Sequence, residues 1–353
     1  MTRIIIALIT LSALASCTMR DPGHTNKKDA FSAYHILDSA QAAQVIVRDT
    51  MDYFFDKITP IDMGIQLHTS IKGKSRAALL KAYKKGLQKE VTDFSKEEHA
   101  FLMSVMVQAL QMCSQINRKI IPNQINLIKV KGDNYGDGVF YTREKSIIIP
   151  ANELEGLNAK KILPVMVHEL SHIMTRYHPV LKDSLYACIG FHRIPYQSPW
   201  AKQDSITDRF LTNPDGVSRD YSISVHTRSG EKMEALPIIR SNFPDFSPEN
   251  PSFFAYLGFQ IFPIIEKDKQ LAFAVKADGN PIYAINEFTD FFTQIKDNTD
   301  YIIHPDEIIA DNFMILLMTH AQREGFDIQQ YSAEGRALLD RISRIIGVYT
   351  PKK

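Results

Sequence analysis

From residue 31 to about residue 120 the apolar positions recur at three- and four-residue steps. AQAAQVIVRDTMDYFFDKI, SRAALLKAYKKGLQKEV and EEHAFLMSVMVQALQMCSQI all carry this period, which predicts packed amphipathic helices. The texture then changes. INLIKVK, GVFYT and SIIIP are short β-rich runs separated by the turn-rich GDNYGDG and the polar REK, the pattern of a small antiparallel meander over roughly 125–150. Helical spacing returns in KKILPVMVHELSHIMTRYH, where Asn158 is placed to cap the start, Pro164 falls in the early turns and His178-Pro179 closes the run. Between 180 and 300, DYSISVHTR, LAFAVKA and PIYAI read as strands, while TNPDG, SPENP and ADGNP read as turns. HPDEIIADNFMILLMTHAQREG and SAEGRALLDRISRIIG return to helix. The expected fold class is α+β: a helical N-terminal region over 31–120, then a region over 121–353. The latter holds a small antiparallel sheet packed on the central helix, a β-rich insertion at about 200–290 and C-terminal helices.

Residues 1–30 stand apart from this pattern. Arg3 supplies a positive charge, and Ile4 to Ala15 form an apolar stretch too short to span a bilayer but of the length of a secretory signal. It ends in Leu14-Ala15-Ser16-Cys17, which resembles a bacterial lipobox. The resemblance implies a signal peptide over 1–16, a lipid-modified Cys17 and membrane anchorage. The polar stretch 17–30 then serves as a tether. Thr18 rather than Asp follows the cysteine, which implies the outer membrane, facing the periplasm. Composition changes little: 44% hydrophobic and 23% charged residues suffice for a sizeable core. A net charge of +1 without a dense Lys/Arg block argues against a nucleic-acid partner. Cys113 and Cys188 are open to either reading, a bridge or two buried thiols.

The chemistry lies in the central helix, where His168, Glu169 and His172 interrupt VMVHELSHIM. His168 and His172 are i and i+4, so both rings reach one ion from a single helix face. Glu169 projects about 100° around the helix, where it can act on a water without being a ligand. This is the mechanical reading of HExxH: two zinc ligands and a general base. A catalytic zinc takes three protein ligands and keeps a position for water, so a third ligand is expected. In the C-terminal helix Glu307 and Asp311 are again i and i+4. Glu307 completes a His2Glu site, and Asp311 can accept the other ring N–H of a zinc-bound imidazole. His178, His192, His226 and His304 compete as third ligands, with His304 the nearest rival.

HExxH followed by a downstream ExxxD helix resembles the gluzincin class of zinc metallopeptidases. The chain departs from thermolysin-like members in spacing, since 135 positions (307 − 172) separate His172 from Glu307. The intervening segment must therefore return the second helix to the first. In the gluzincin picture VFYTREKSIIIP supplies an edge strand that holds substrate backbone, and Tyr221, His226, Tyr301 and His304 are candidate oxyanion or pocket residues. The expected function is a membrane-anchored, zinc-dependent metallopeptidase with one Zn2+ per chain and a peptide or protein substrate. Two alternatives remain: a non-catalytic lipoprotein whose metal site braces a binding surface, and a zinc amidase acting on cell-wall peptides.

Overall fold

The apolar runs of the sequence are placed in two five-stranded sheets and a set of helices that pack against them. The computed structural model describes residues 34–136 and 138–351; the expected signal peptide, Cys17 and the tether lie outside the described residues. We label the strands β1 (Tyr34–Ile36), β2 (Val91–Thr92), β3 (Ile125–Val130), β4 (Tyr141–Arg143), β5 (Ser146–Pro150), β6 (Phe191–Arg193), β7 (Tyr221–His226), β8 (Lys232–Ser241), β9 (Leu257–Lys267) and β10 (Gln270–Phe273). The longer helices are α1 (Ser39–Val45), α2 (Pro60–Gln66), α3 (Arg76–Glu90), α4 (Lys96–Asn117), α5 (Ala159–Tyr177), α6 (Pro179–Cys188), α7 (Pro305–His320) and α8 (Ala333–Val348). The fold is α+β, as expected.

The first sheet runs β1-β3-β5-β4, with β2 also on β3. β5 and β4 form the expected antiparallel hairpin. β3 and β5, however, run parallel, from Asn126 beside Ser146 to Val130 beside Pro150, so the sheet is mixed and not a meander. β5 pairs on both sides and every one of its residues is buried, as suits an inner strand with a parallel neighbour. β4, also buried, pairs with β5 alone and so ends the sheet.

The second sheet, β10-β9-β8-β7-β6, is antiparallel throughout. Its two longest strands, β8 and β9, each carry a proline, and PIYAI forms only an isolated bridge at Pro281. Each proline sits where its outer neighbour has ended. β7–β8 pairing stops at Ala235, two residues before Pro237, and β9–β10 pairing stops at Ile264, one residue after Pro263. A missing N–H there breaks no ladder bond on that side.

The site depends on α5 and α7. The Asn158 side chain caps α5 by accepting from Lys160 and Lys161 N–H, and Pro164 lies inside the helix. α7 begins at Pro305 after the cap His304, and Pro at the first helical position is pre-set for that conformation. Ile308, Ile309 and Phe313 of α7 and Met166, Leu170 and Ile173 of α5 share one core cluster. Cys113 and Cys188 are both buried free thiols, and burial pushes the Cys113 thiol up to about 12. No helix among the described residues is long and apolar enough to cross a membrane.

Candidate metal centre

Antiparallel packing of α5 on α7 brings His168, His172, Glu307 and Asp311 together. The ring of His168 meets Asp311 Oδ1 at 2.8 Å through Nδ1 and Glu307 Oε2 at 3.1 Å through Nε2. His172 repeats the arrangement, with Nδ1 3.2 Å from Asp306 Oδ2 and Nε2 3.4 Å from the same Glu307 oxygen. Both imidazoles thus give Nδ1–H to a carboxylate behind them and turn Nε2 to a common point. That back-side bond fixes the tautomer and ring orientation that a metal ligand requires.

The spacing of each imidazole to Glu307 suits an ion. Ligands at about 2.0–2.1 Å from a tetrahedral centre stand about 3.3–3.4 Å apart, and the two nitrogen-to-Glu307 separations are 3.1 and 3.4 Å. His172 Nε2 and Glu169 Oε2 are buried without a hydrogen-bond partner, a costly state for polar atoms that nothing coordinates. His168, Glu169 and His172 offer atoms within 4.8 Å of one another, and so do His172, Asp215 and Glu307. These groups are therefore close enough to hold a metal ion.

The local field favours positive charge. Burial works to lower the His168 pKa, but hydrogen bonds with Asp311 and Glu307 outweigh it and carry the ring up to about 10. Burial acts the same way on His172, and the charges of Glu307 and Asp215 again prevail and raise it. Glu307 is itself held well below the ordinary carboxylate range, since the two imidazoles overcome its burial. Glu169 differs: burial, assisted by the charge of Asp215, pushes its carboxyl up to about 8.

Several supporting groups carried no signal in the sequence. Asp306 Oδ1 accepts from Tyr186 at 2.8 Å and from Thr175 at 2.9 Å, which fixes the carboxylate behind His172. Asn213 Nδ2 donates to Glu307 Oε1 at 2.6 Å. Asp215 lies in TNPDG, which read only as a turn. Its Oδ1 accepts the Thr142 N–H at 2.6 Å and the Thr142 hydroxyl at 2.5 Å. Thr142 is in β4, so this outward amide of the expected substrate-binding edge is already taken, and all of β4 is buried. Arg176 joins the same corner, donating to the Thr142 hydroxyl and to Asp52.

The rival ligands sit elsewhere. His304 Nδ1 accepts the Asp306 N–H at 3.1 Å, and its Nε2–H donates to Ser218 O at 3.2 Å. Both nitrogens serve the main chain, so His304 is a helix cap. His192 pairs with Glu234, His226 pairs with Asp290, and His178 lies against Tyr349. Of the pocket candidates, exposed Tyr301 stacks over His168 with ring centroids 6.2 Å apart. Tyr221 instead donates to Asp183 and packs on Tyr186, one ring removed from the cluster. No protein-family profile, curated protein or solved structure matches this chain.

Proposed function

We propose that the chain is a zinc-dependent metallopeptidase of gluzincin type, anchored through Cys17 to the periplasmic face of the outer membrane. The observation that carries the reading is the approach of two Nε2 atoms, 3.1 and 3.4 Å away, to one Glu307 oxygen, together with the unpartnered Oε2 of Glu169. His168, His172 and Glu307 would hold zinc, with Asp311 and Asp306 orienting the rings. When bound, zinc supplies Lewis-acid polarisation of the scissile carbonyl and a lowered pKa for water. Glu169 takes a proton from the attacking water and returns it to the leaving nitrogen. Tyr301, whose ring stacks on His168, would donate toward the developing oxyanion.

The test is zinc stoichiometry together with hydrolysis of casein or a quenched peptide library, with and without chelator. Glu169→Gln should keep zinc while turnover falls by about 10²–10⁴-fold; retained turnover in that variant removes the assigned base. Tyr301→Phe should lower kcat by about 10²–10³-fold with zinc affinity unchanged. Anchorage is read separately: Cys17→Ala should release the protein from membranes.

A second reading is favoured by Asp215. Its carboxylate reaches the same point as His172 and Glu307, and four protein ligands characterise closed, structural zinc sites. The chain would then be a binding lipoprotein braced by its metal. The Co2+-substituted protein separates the two, because a cyanide- or water-sensitive spectrum signals an open position and an insensitive one a closed site. The amidase alternative shares the first mechanism and differs in the substrate that is cleaved.

A further inference from the structure

A second built site lies in the other sheet. The end of β8, the start of β9 and the turn at 278–280 line an open cavity of about 390 Å3. Arg209 and Arg240 line it together with Asn242, Gln260, Asp278 and Asn280. Arg240 is only 7% exposed, and the Nε atoms of both arginines are buried without a hydrogen-bond partner. Neither guanidinium forms an ion pair among the described residues. Two cations and a single carboxylate, Asp278, line this polar cavity, which leaves an excess positive charge that a bound anion would offset.

The surroundings hold the forks in place. Asp278 accepts both the N–H and the side-chain amide of Asn280, at 2.9 and 2.8 Å. Asn280 Oδ1 then accepts from Arg240 Nη1 at 3.3 Å and from Gln260 Nε2 at 3.2 Å. Arg209 is tethered by its Nη2 to Ser241 O at 2.6 Å. The Asp278 carboxylate is thus hydrogen-bonded to Asn280 and ion-paired to neither arginine among the described residues, and Gly279 lets the turn approach Arg240 Nη2, only 3.2 Å from where a Cβ would stand. Burial and the charge of Arg209 both lower the Arg240 pKa, with Asp278 partly opposing them.

We infer that this cavity is a binding site for an oxyanion, in which Arg209 and Arg240 together grip the carboxylate or phosphate group of an organic ligand. Guanidinium forks match both groups in bidentate geometry. The cavity exceeds the needs of a bare inorganic ion, and the adjoining Phe259 and Gln260 supply a surface for the remainder. The site stands on its own residues and does not depend on the metal centre or on peptidase activity.

The test titrates the full-length chain with inorganic phosphate, with trialanine and with trialanine amide. Binding is read by calorimetry and by thermal shift at constant ionic strength in chloride. Saturable binding of phosphate marks a phosphate-bearing ligand, and binding of trialanine but not its amide marks a carboxylate. Arg240→Gln and Arg209→Gln should each weaken binding by at least about tenfold, while Arg344→Gln on the α8 surface leaves it unchanged. Should Arg240→Gln fail to fold, the more exposed Arg209→Gln carries the comparison. Absence of saturable binding by all probes, or binding equal in the arginine variants and wild type, overturns the inference.

Discussion

Asp306 and Asp311 show how single side chains set the chemistry of their neighbours. Each carboxylate takes the Nδ1–H of one histidine, and Thr299 adds a donor to Asp311 from outside the helix pair. Replacing Asp311 by Asn offers the ring an amide that can equally present its NH2, so the tautomer is no longer fixed. Asp311→Asn is expected to weaken zinc binding about 10–100-fold, measured by competition with a chromogenic chelator; an unchanged constant would separate the residue from the metal. Gly216 is a packing counterpart. A Cβ there would lie 2.1 Å from His304 Nδ1, on a ring pinned at both nitrogens. Gly216→Ala should therefore cost about 1–3 kcal/mol in urea denaturation. At this scale the sequence was legible where spacing carries geometry: 168, 169 and 172 share a helix, as do 307 and 311. Asp215 was not legible, because a turn residue advertises no partner, and its contact with Thr142 spans 73 positions. His304 looked like a ligand because a capping imidazole and a ligating imidazole are identical in sequence.

Helices and strands explain which parts of the fold could be read beforehand. α5 and α7 announced themselves through their apolar period, and α5 also through its Asn158 cap, whereas β8 and β9 did not. Pro237 and Pro263 break the strand signature, and only the sheet reveals that on the outer side neither is asked for an N–H, Pro263 only accepting there from Ala274. The segment between β6 and β7 is held by α2. Asp62 is fully buried, accepts the Thr212 N–H at 2.8 Å and the Gln66 amide at 2.7 Å, and so anchors the residues that lead to Asn213 and Asp215. Burial raises its pKa to about 6, against the opposing pull of these hydrogen bonds and of Arg219. The folded chain therefore binds this proton more tightly than the unfolded chain does. Stability from this group is present below the unfolded value near 4 and is lost as pH rises through about 6. The difference in unfolding free energy between wild type and Asp62→Asn should accordingly shrink by up to about 3 kcal/mol between pH 4 and pH 6.5. Urea midpoints at both ends of that range measure it, and a constant difference would rule out the buried carboxyl as the source.

Across the whole molecule, the candidate metal centre joins segments that the chain keeps far apart. α5 lies against α7 through the core, yet 139 positions separate His168 from Glu307, and the entire second sheet falls between them. The α+β character was legible because it sums local patterns, but the return of α7 onto α5 rests on non-local packing that no short window contains. An ion held by both helices would bind the folded chain and not the separated segments, so it should act as a cross-link. Zinc at about 1,000 times its Kd should add about 4 kcal/mol to unfolding. The imidazoles must be unprotonated to bind it, so the increment should fade as pH drops and protons compete for the two rings. Glu307→Gln leaves the helix contact in place but removes the anionic ligand that α7 contributes. It should abolish most of the zinc-dependent rise in Tm while changing the metal-free Tm far less. A full zinc-dependent rise in that variant would mean that the ion is held without α7, and the reason for bringing the two helices together would have to be sought in their apolar faces.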